Sequence, residues 1–473
     1  MSRLARRPDQ PARDPGEHRP RSPRGPLGSA GAPGALAGFL ARPVAAPWCV
    51  LWWVLASGLF VFNCQLAGGP ATGDDVQSVY AAWAIAHGHV ACAYPPAGIA
   101  GYTPTSPLYV LVSAALVALF AVGHAVAFPT AAQLGAHCAG AASSITQWSA
   151  AAHALAPTLR FGFVSWLALA AGTVSLLRAS GRGRCRWEPA TLLVMACLPP
   201  VIMCVCEYFH PQDLLAMGLA LAGVAEARRG RWGLVGALMS LAYLAHPFAL
   251  LVAVALLVLC PARRRARFVQ GALAAAVVVA VPLVVLTSGR ALATVLLGTG
   301  TTTASASLLS ITGAHGALLF SVSRILPIAA AALLAGWASE RMGAAVLEPA
   351  PLVALTATCL TMRLIFEVNT FGYYVMAAAV SLVLLDVVRA RPRLTLLAWL
   401  VVATLASFGD GAFVGGTTTL SLPVWLWQLV VDSWAIALGA VPLVTLVRAS
   451  PSRADRALAA HGAGAGASRG DPR

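Results

Sequence analysis

The feature that most constrains this chain is a series of long stretches without a single Asp, Glu, Lys or Arg: 43–73, 108–159, 189–206, 232–260, 268–289 and 394–409. A membrane-crossing helix needs about 20 mostly apolar residues, and these stretches recur near or above that length. Only 10% of the residues are charged and mean hydropathy is +0.76, whereas soluble domains carry about 25% charged residues. The fold class that follows is an all-α polytopic membrane protein in the lipid bilayer, with about 11–13 transmembrane helices of that length.

The formal charge of +15 does not indicate a nucleic-acid partner. Every basic residue is Arg, and the arginines sit at both termini and in short clusters between apolar stretches. That distribution is the signature of orientation by cytoplasmic positive charge. "RASGRGRCR" (178–186), "EARRGRW" (226–232), "PARRRAR" (261–267), "SER" (339–341) and "RARPR" (389–393) are expected on the cytoplasmic side. Residues 1–42 are rich in Arg, Pro and Gly without apolar periodicity, and read as a disordered cytoplasmic tail. The stretch 448–473 reads likewise. The first apolar stretch begins too late, after too polar a leader, for a signal peptide.

Between the tails, 43–447 forms a multi-pass domain. Its helices are expected at 46–66, 188–206, 211–227, 268–288, 315–338, 346–366, 370–388, 394–408 and 424–447. The segment 232–260 is too long for one pass and too short for two. "LAHPF" (244–248) lies at its centre, so two short helices meeting at His246–Pro247 are expected there. Residues 128–156 must cross or re-enter for 178 to lie inside, and they carry no Asp, Glu or Arg. The opposite face then receives 67–107, "EYFHPQD" (207–213), 289–314, "EVNTFGYY" (367–374) and 408–419.

The first external loop, "GGPATGDDVQSVYAAWAIAHGHVACAYPPAG" (68–98), is unusual for its adjacent carboxylates Asp74 and Asp75. Asp74 followed by Gln77 has the spacing of a capping box. Val76, Val79, Tyr80 and Trp83 recur at helical spacing, which predicts a short amphipathic helix over 75–86 at the membrane surface. Capping accounts for one carboxylate and leaves the other.

The ten cysteines show neither CxxC pairs nor zinc spacing. Cys197, Cys204, Cys260 and Cys359 lie in apolar segments, where Cys acts as a small hydrophobe. Cys92 and Cys138 lie in polar stretches, and a disulfide between them is one possible pairing.

In "CEYFHPQDLL" (206–215), Glu207, His210 and Asp213 cluster before a helix start; a turn and a dipole-compensating Asp213 explain them structurally. His246 reads first as a packed histidine. Arg363 and Glu367 are four apart and fit an ion pair on one helix face. Arg160, Arg290, Arg324 and Arg363 lie near the external ends of their helices, against the charge rule, and membrane-embedded arginines are commonly functional. "GTGTTTASAS" (298–307) lacks the Lys-Ser/Thr of a phosphate-binding loop.

An outward first helix, "GDD" (73–75), Tyr80, "YPP" (94–96), "PLY" (107–109), a short central helix pair and "RLIFEVNTFGYY" (363–374) together resemble the GT-C superfamily of membrane glycosyltransferases. Within it the likeness is to the actinobacterial branch that uses polyprenyl-phosphate-mannose. The resemblance implies transfer of a sugar, mannose favoured, from a polyprenyl-phosphate donor to a hydroxyl of a glycolipid or glycan acceptor outside the cytoplasm. It implies Asp74 or Asp75 as general base, and Arg363, Arg290, Arg324 and Arg160 for the donor phosphate. Glu207, His210, Asp213, His246 and Tyr373 would hold acceptor or sugar. No cofactor or metal is implied. His246 occupies the helix-pair position where relatives often carry Lys. Two other readings stay open: a secondary transporter or lipid flippase, which would place ionisable groups at mid-membrane, and an inactive membrane scaffold.

Overall fold

The computed structural model describes residues 35–67, 73–94, 106–121, 155–206, 209–287, 289, 309, 315–367, 372–390 and 424–449. Among these Pro43 and Cys185 form an isolated bridge, and nearly all the rest is helix and short connection. The chain opens with α1 (Ala35–Leu40) and α2 (Ala46–Ala67), followed by α3 (Gly73–Ala86), α4 (Val90–Ala93) and α5 (Pro107–Ala121). The central group is α6 (Leu155–Ala179), α7 (Trp187–Ala196), α8 (Pro199–Cys206), α9 (Pro211–Arg228), α10 (Trp232–Ala245), α11 (Ala249–Leu259) and α12 (Ala262–Leu286). The last group is α13 (Gly316–Phe320), α14 (Leu326–Met342), α15 (Pro349–Phe366), α16 (Met376–Arg389) and α17 (Val424–Ala449).

Among the described residues, five helical spans are long and apolar enough to cross a bilayer: Ala46–Ala67, Gly162–Ala179, Ala262–Leu286, Ser321–Leu347 and Pro349–Phe366. A sixth is added if α7 and α8, bent by 49° at their junction, count as one. The molecule is a multi-pass all-α membrane protein, with fewer full-length spans among the described residues than the 11–13 expected. Part of the reason is local: prolines divide apolar sequence into helices too short to span alone. Pro199 and Pro200 open α8, Pro211 opens α9, and Pro247 separates α10 from α11. The expected helix at 394–408 and the crossing at 128–154 lie outside the described residues.

Each break exposes backbone groups that hydrocarbon cannot satisfy. At the end of α7 the Ala196 carbonyl accepts a hydrogen bond of 3.0 Å from the Asn63 side-chain amide on α2. Nearby, Trp166 of α6 stacks on Phe60 of α2 at 4.7 Å and donates its indole N–H to Ser57 Oγ. The break at α10–α11 places His246 in an extended conformation, as expected before proline. Arg264 Nη1 donates to the Gly230 carbonyl at 2.6 Å, tying the residues just after α11 to those just before α10. The pair therefore enters and leaves from the same end of the bundle, as its sequence predicts.

That end is where the arginines gather. Arg178 grips the buried Glu188 through two nitrogens at 3.2 and 3.0 Å, and the Arg184 amide joins them. Arg228 donates to the carbonyls of Ala179 and Leu347 and to Glu348. Arg182 reaches the Val388 carbonyl, and Arg389 reaches Thr445. Arg186 N donates to the Arg42 carbonyl. The starts or ends of α2, α6, α7, α9, α10, α12, α15, α16 and α17 are thus joined at one pole.

Glycines set close contacts between helices. A Cβ at Gly236 of α10 would collide with the Phe268 carbonyl of α12, and one at Gly271 with the Gly233 carbonyl. Gly172 of α6 and Gly218 of α9 meet in the same way. Small residues at such crossings let backbones approach where lipid supplies no hydrophobic drive between helices. The outward faces carry Val54, Leu66, Val278, Val285 and Leu333, all exposed and suited to lipid. Substituting Gly218→Val should separate α6 from α9 and cost about 1–3 kcal/mol, whereas Gly38→Val, with open space around it, should change little; thermal denaturation in detergent compares the two.

Candidate functional site

At the other end of the central helices, three interruptions of the helical backbone converge. The first precedes α9. Phe209 adopts φ +48°, a left-handed value that a residue with a Cβ adopts at some cost. Its buried ring packs edge-on against Tyr109 in the first turn of α5, at 6.5 Å. This turn presents His210, which precedes α9, and then Asp213 in the first helical turn. The second interruption is His246–Pro247–Phe248. The third is the end of α15, which delivers Arg363 and Glu367 and is followed by the 3₁₀ turn Gly372–Val375 with Tyr373 and Tyr374.

The side chains form one cluster. Arg363 Nε donates to Glu367 Oε2 at 2.9 Å, the ion pair expected from the four-residue spacing. Its guanidinium lies 4.3 Å above the Tyr374 ring and 5.2 Å from that of Phe248. The plane is therefore fixed by a salt bridge along one edge and by aromatic faces. Its Nη1 points toward Asp213 Oδ2 at 3.9 Å. On the other side of Asp213, His246 Nε2 stands 3.4 Å from Oδ1. The Phe248 amide donates to His246 Nδ1 at 3.4 Å, which assigns the ring proton to Nε2, facing the carboxylate.

Neither approach to Asp213 closes into a hydrogen bond: both carboxylate oxygens and Arg363 Nη1 are buried without a hydrogen-bond partner. Beside this gap, the Tyr373 hydroxyl is 3.0 Å from His210 Nε2 and the two rings stack at 4.3 Å. Tyr373 and Tyr374 pack edge to face at 4.5 Å. Arg363 thus faces the carboxyl groups of both Asp213 and Glu367.

Among the arginines assigned to the donor, Arg324 lies in the π-helical turn Ser321–Ile325 that leads into α14, and it is exposed. Its charge reaches Tyr243 and His246, so it borders the cluster without being buried in it. Such turns occur frequently at functional sites. Arg290 and Glu207 lie outside the described residues. Arg160 belongs to α6, and Asp74 and Asp75 to the first turn of α3; their side chains, and those of Gln77 and Tyr80, are likewise outside what is described.

The helix at 73–86 departs from the expected surface helix. Ala81, Ala82, Trp83 and Ala84 are all buried, and four consecutive buried residues leave no open face at that turn. The helix packs against α5 instead, the helix whose Tyr109 touches Phe209. Cys92, just beyond, is disulfide-bonded; Cys138 lies outside the described residues. Among the described residues no group of three His, Cys, Asp or Glu side chains is arranged to hold a metal ion.

Comparison of the chain with family models, curated proteins and solved structures returns no match. The case for a function therefore rests on this cluster and on the acidic turn of α3.

Sequence reasoning did not find Tyr374 and Phe248, which flank the guanidinium, or the approach of Asp213 to Arg363 and His246. No local spacing could reveal these contacts, because each joins different helices. Breaking a buried charge cluster by removing one partner typically costs about 3–5 kcal/mol. Arg363→Met should fall in that range, since it removes the guanidinium that faces Asp213 and breaks the ion pair with Glu367. Tyr373→Phe, losing the contact with His210, should cost about 1 kcal/mol. Chemical or thermal unfolding of the purified variants checks the ordering.

Proposed function

We propose that the protein is an integral membrane glycosyltransferase of the cell membrane. In this reading it moves a sugar, mannose favoured, from a polyprenyl-phosphate carrier to a hydroxyl of a glycolipid or glycan. The observation that supports it most is a juxtaposition: the helix that opens with Asp74 and Asp75 packs on α5, and α5 touches the turn that carries His210 and Asp213. An acidic turn and a buried polar cluster thus share the end of the bundle opposite the arginine pole. If the arginine pole is cytoplasmic, as the charge rule implies, that chemistry faces outward and both termini face inward.

A transfer of this kind needs little from the protein. The acceptor hydroxyl attacks the anomeric carbon, the carbon–oxygen bond to the lipid phosphate breaks, and a carboxylate takes the hydroxyl proton. A positioned base contributes about 100- to 10,000-fold; Asp74 and Asp75 are the two candidates. The departing phosphate needs positive partners. Exposed Arg324, bordering the cluster, serves that need better than Arg363, which two carboxylates already face. The remaining groups, His210, Asp213, His246 and Tyr373, supply donors and acceptors for sugar hydroxyls.

A second reading is supported by the burial of Asp213 and Arg363. Ionisable groups buried within a membrane domain also mark substrate and proton pathways in transporters. One preparation separates the two. In proteoliposomes supplied with polyprenyl-phosphate-mannose and a membrane glycolipid fraction, wild type should release the lipid phosphate and form a mannosylated product. Asp74→Asn or Asp75→Asn should reduce turnover by about 100-fold or more, and Arg324→Gln should weaken it. Sugar or lipid movement across the bilayer without any transfer would instead establish the transporter.

A further inference from the structure

The gap between Asp213 and Arg363 has a specific chemistry. A carboxylate and a guanidinium in direct contact lie at about 2.7–2.9 Å, yet Oδ2 and Nη1 stand 3.9 Å apart. Both groups are buried, Asp213 at 1% side-chain exposure and Arg363 at 9%. Their facing atoms lack hydrogen bonds. Unmade hydrogen bonds on buried polar atoms are costly, and charged groups more so. The guanidinium is also held back from closing the gap. Glu367 fixes its Nε, and Tyr374 and Phe248 confine its plane. On the opposite side His246 Nε2 stops at 3.4 Å from Oδ1, anchored through Nδ1 to the Phe248 amide.

The missing partner must donate to a carboxylate and accept from a guanidinium. A phosphodiester accepts from Arg363 but has no proton to donate to Asp213. An ammonium group cannot accept from Arg363. A hydroxyl does both. A carboxylate with both oxygens open accepts from two hydroxyls on adjacent carbons, and one of these can take the Arg363 Nη1 proton. Aromatic faces of Tyr373, Tyr374 and Phe248 stand around the polar centre.

From this geometry we infer that the Asp213–Arg363 gap is a binding site for the vicinal hydroxyls of a sugar, with Asp213 as the bidentate acceptor and Arg363 as the donor. The inference rests on the proposed function for the class of ligand and extends it by naming the atoms that recognise the ring. It also assigns Arg363 to neutral sugar instead of lipid phosphate.

The test uses the full chain in lipid nanodiscs prepared without sugar detergents, with n-octyl α-D-mannopyranoside as probe. Calorimetry should detect binding by wild type, and Asp213→Asn should weaken it by tenfold or more. Inorganic phosphate should not displace the probe. Infrared difference spectra of wild type on adding the probe should show a shifted carboxylate stretch that Asp213→Asn lacks while Glu367→Gln keeps it. This readout on wild type stands even if a variant folds poorly.

Equal affinity in a folded Asp213→Asn protein would overturn the site. So would displacement by phosphate, which marks an anion site, or a folded wild type that ignores the probe at millimolar concentration, which marks a gap filled by water alone. Asp213-dependent binding without any sugar transfer would keep this site and remove the enzyme. Transfer that depends on Asp74 or Asp75 but is indifferent to Asp213 would keep the enzyme and remove the site.

Discussion

The structure depends on one constraint: in hydrocarbon, every backbone N–H and C=O must be satisfied from within the protein. An unbroken helix meets that demand by itself; a broken one must recruit its neighbours. This chain breaks its helices before α8, before α9 and between α10 and α11. At the first of these, Asn63 of α2 supplies a donor to the Ala196 carbonyl. The breaks before α9 and after α10, with the end of α15, bring His210, Asp213, His246 and Arg363 together. A bundle of uninterrupted helices would have met the backbone demand without bringing these ends together.

The two poles of the central helices do different work with the same residue type. At one pole arginines act as fasteners: Arg228 and Arg264 reach carbonyls on neighbouring elements, and Arg178 secures the buried Glu188. At the other, Arg363 sits against two carboxylates and two aromatic rings, with one nitrogen unsatisfied. The guanidinium is suited to both roles because it is planar, always charged and weakly hydrated for a cation. A lysine at position 363 could not be held by stacking and an edge-on ion pair together.

The architecture was legible wherever the signal was local. Apolar length gave the membrane class, Pro247 the division of 232–260, and the four-residue spacing the Arg363–Glu367 pair. Arg178, Arg228, Arg264 and Arg389, each from a cluster expected on one side, tie helix ends together at one pole. At 75–86 apolar residues at helical spacing suggested a surface helix, and the helix is there, but Ala81, Ala82, Trp83 and Ala84 are all buried. Ala81, Ala82 and Ala84 are small enough to be covered from several sides, and a helical pattern does not report what a neighbouring helix covers. In the site, the residues were identifiable as polar positions at helix ends, but their pairing was not. Asp213 gives no local sign that it will face Arg363, because that contact is set by the packing of α9, α10 and α15.

The short pair α10 and α11 has a consequence for how this protein is made. With 14 and 11 residues, neither helix spans a bilayer about 30 Å thick, and the residues flanking the pair are bonded to each other. During synthesis, α10 alone offers the lipid an end that is not finished, with His246 exposed at membrane depth. Only when α11 has followed can the two enter together, cover that end and return the chain to the side it came from. The pair is thus a single unit of insertion.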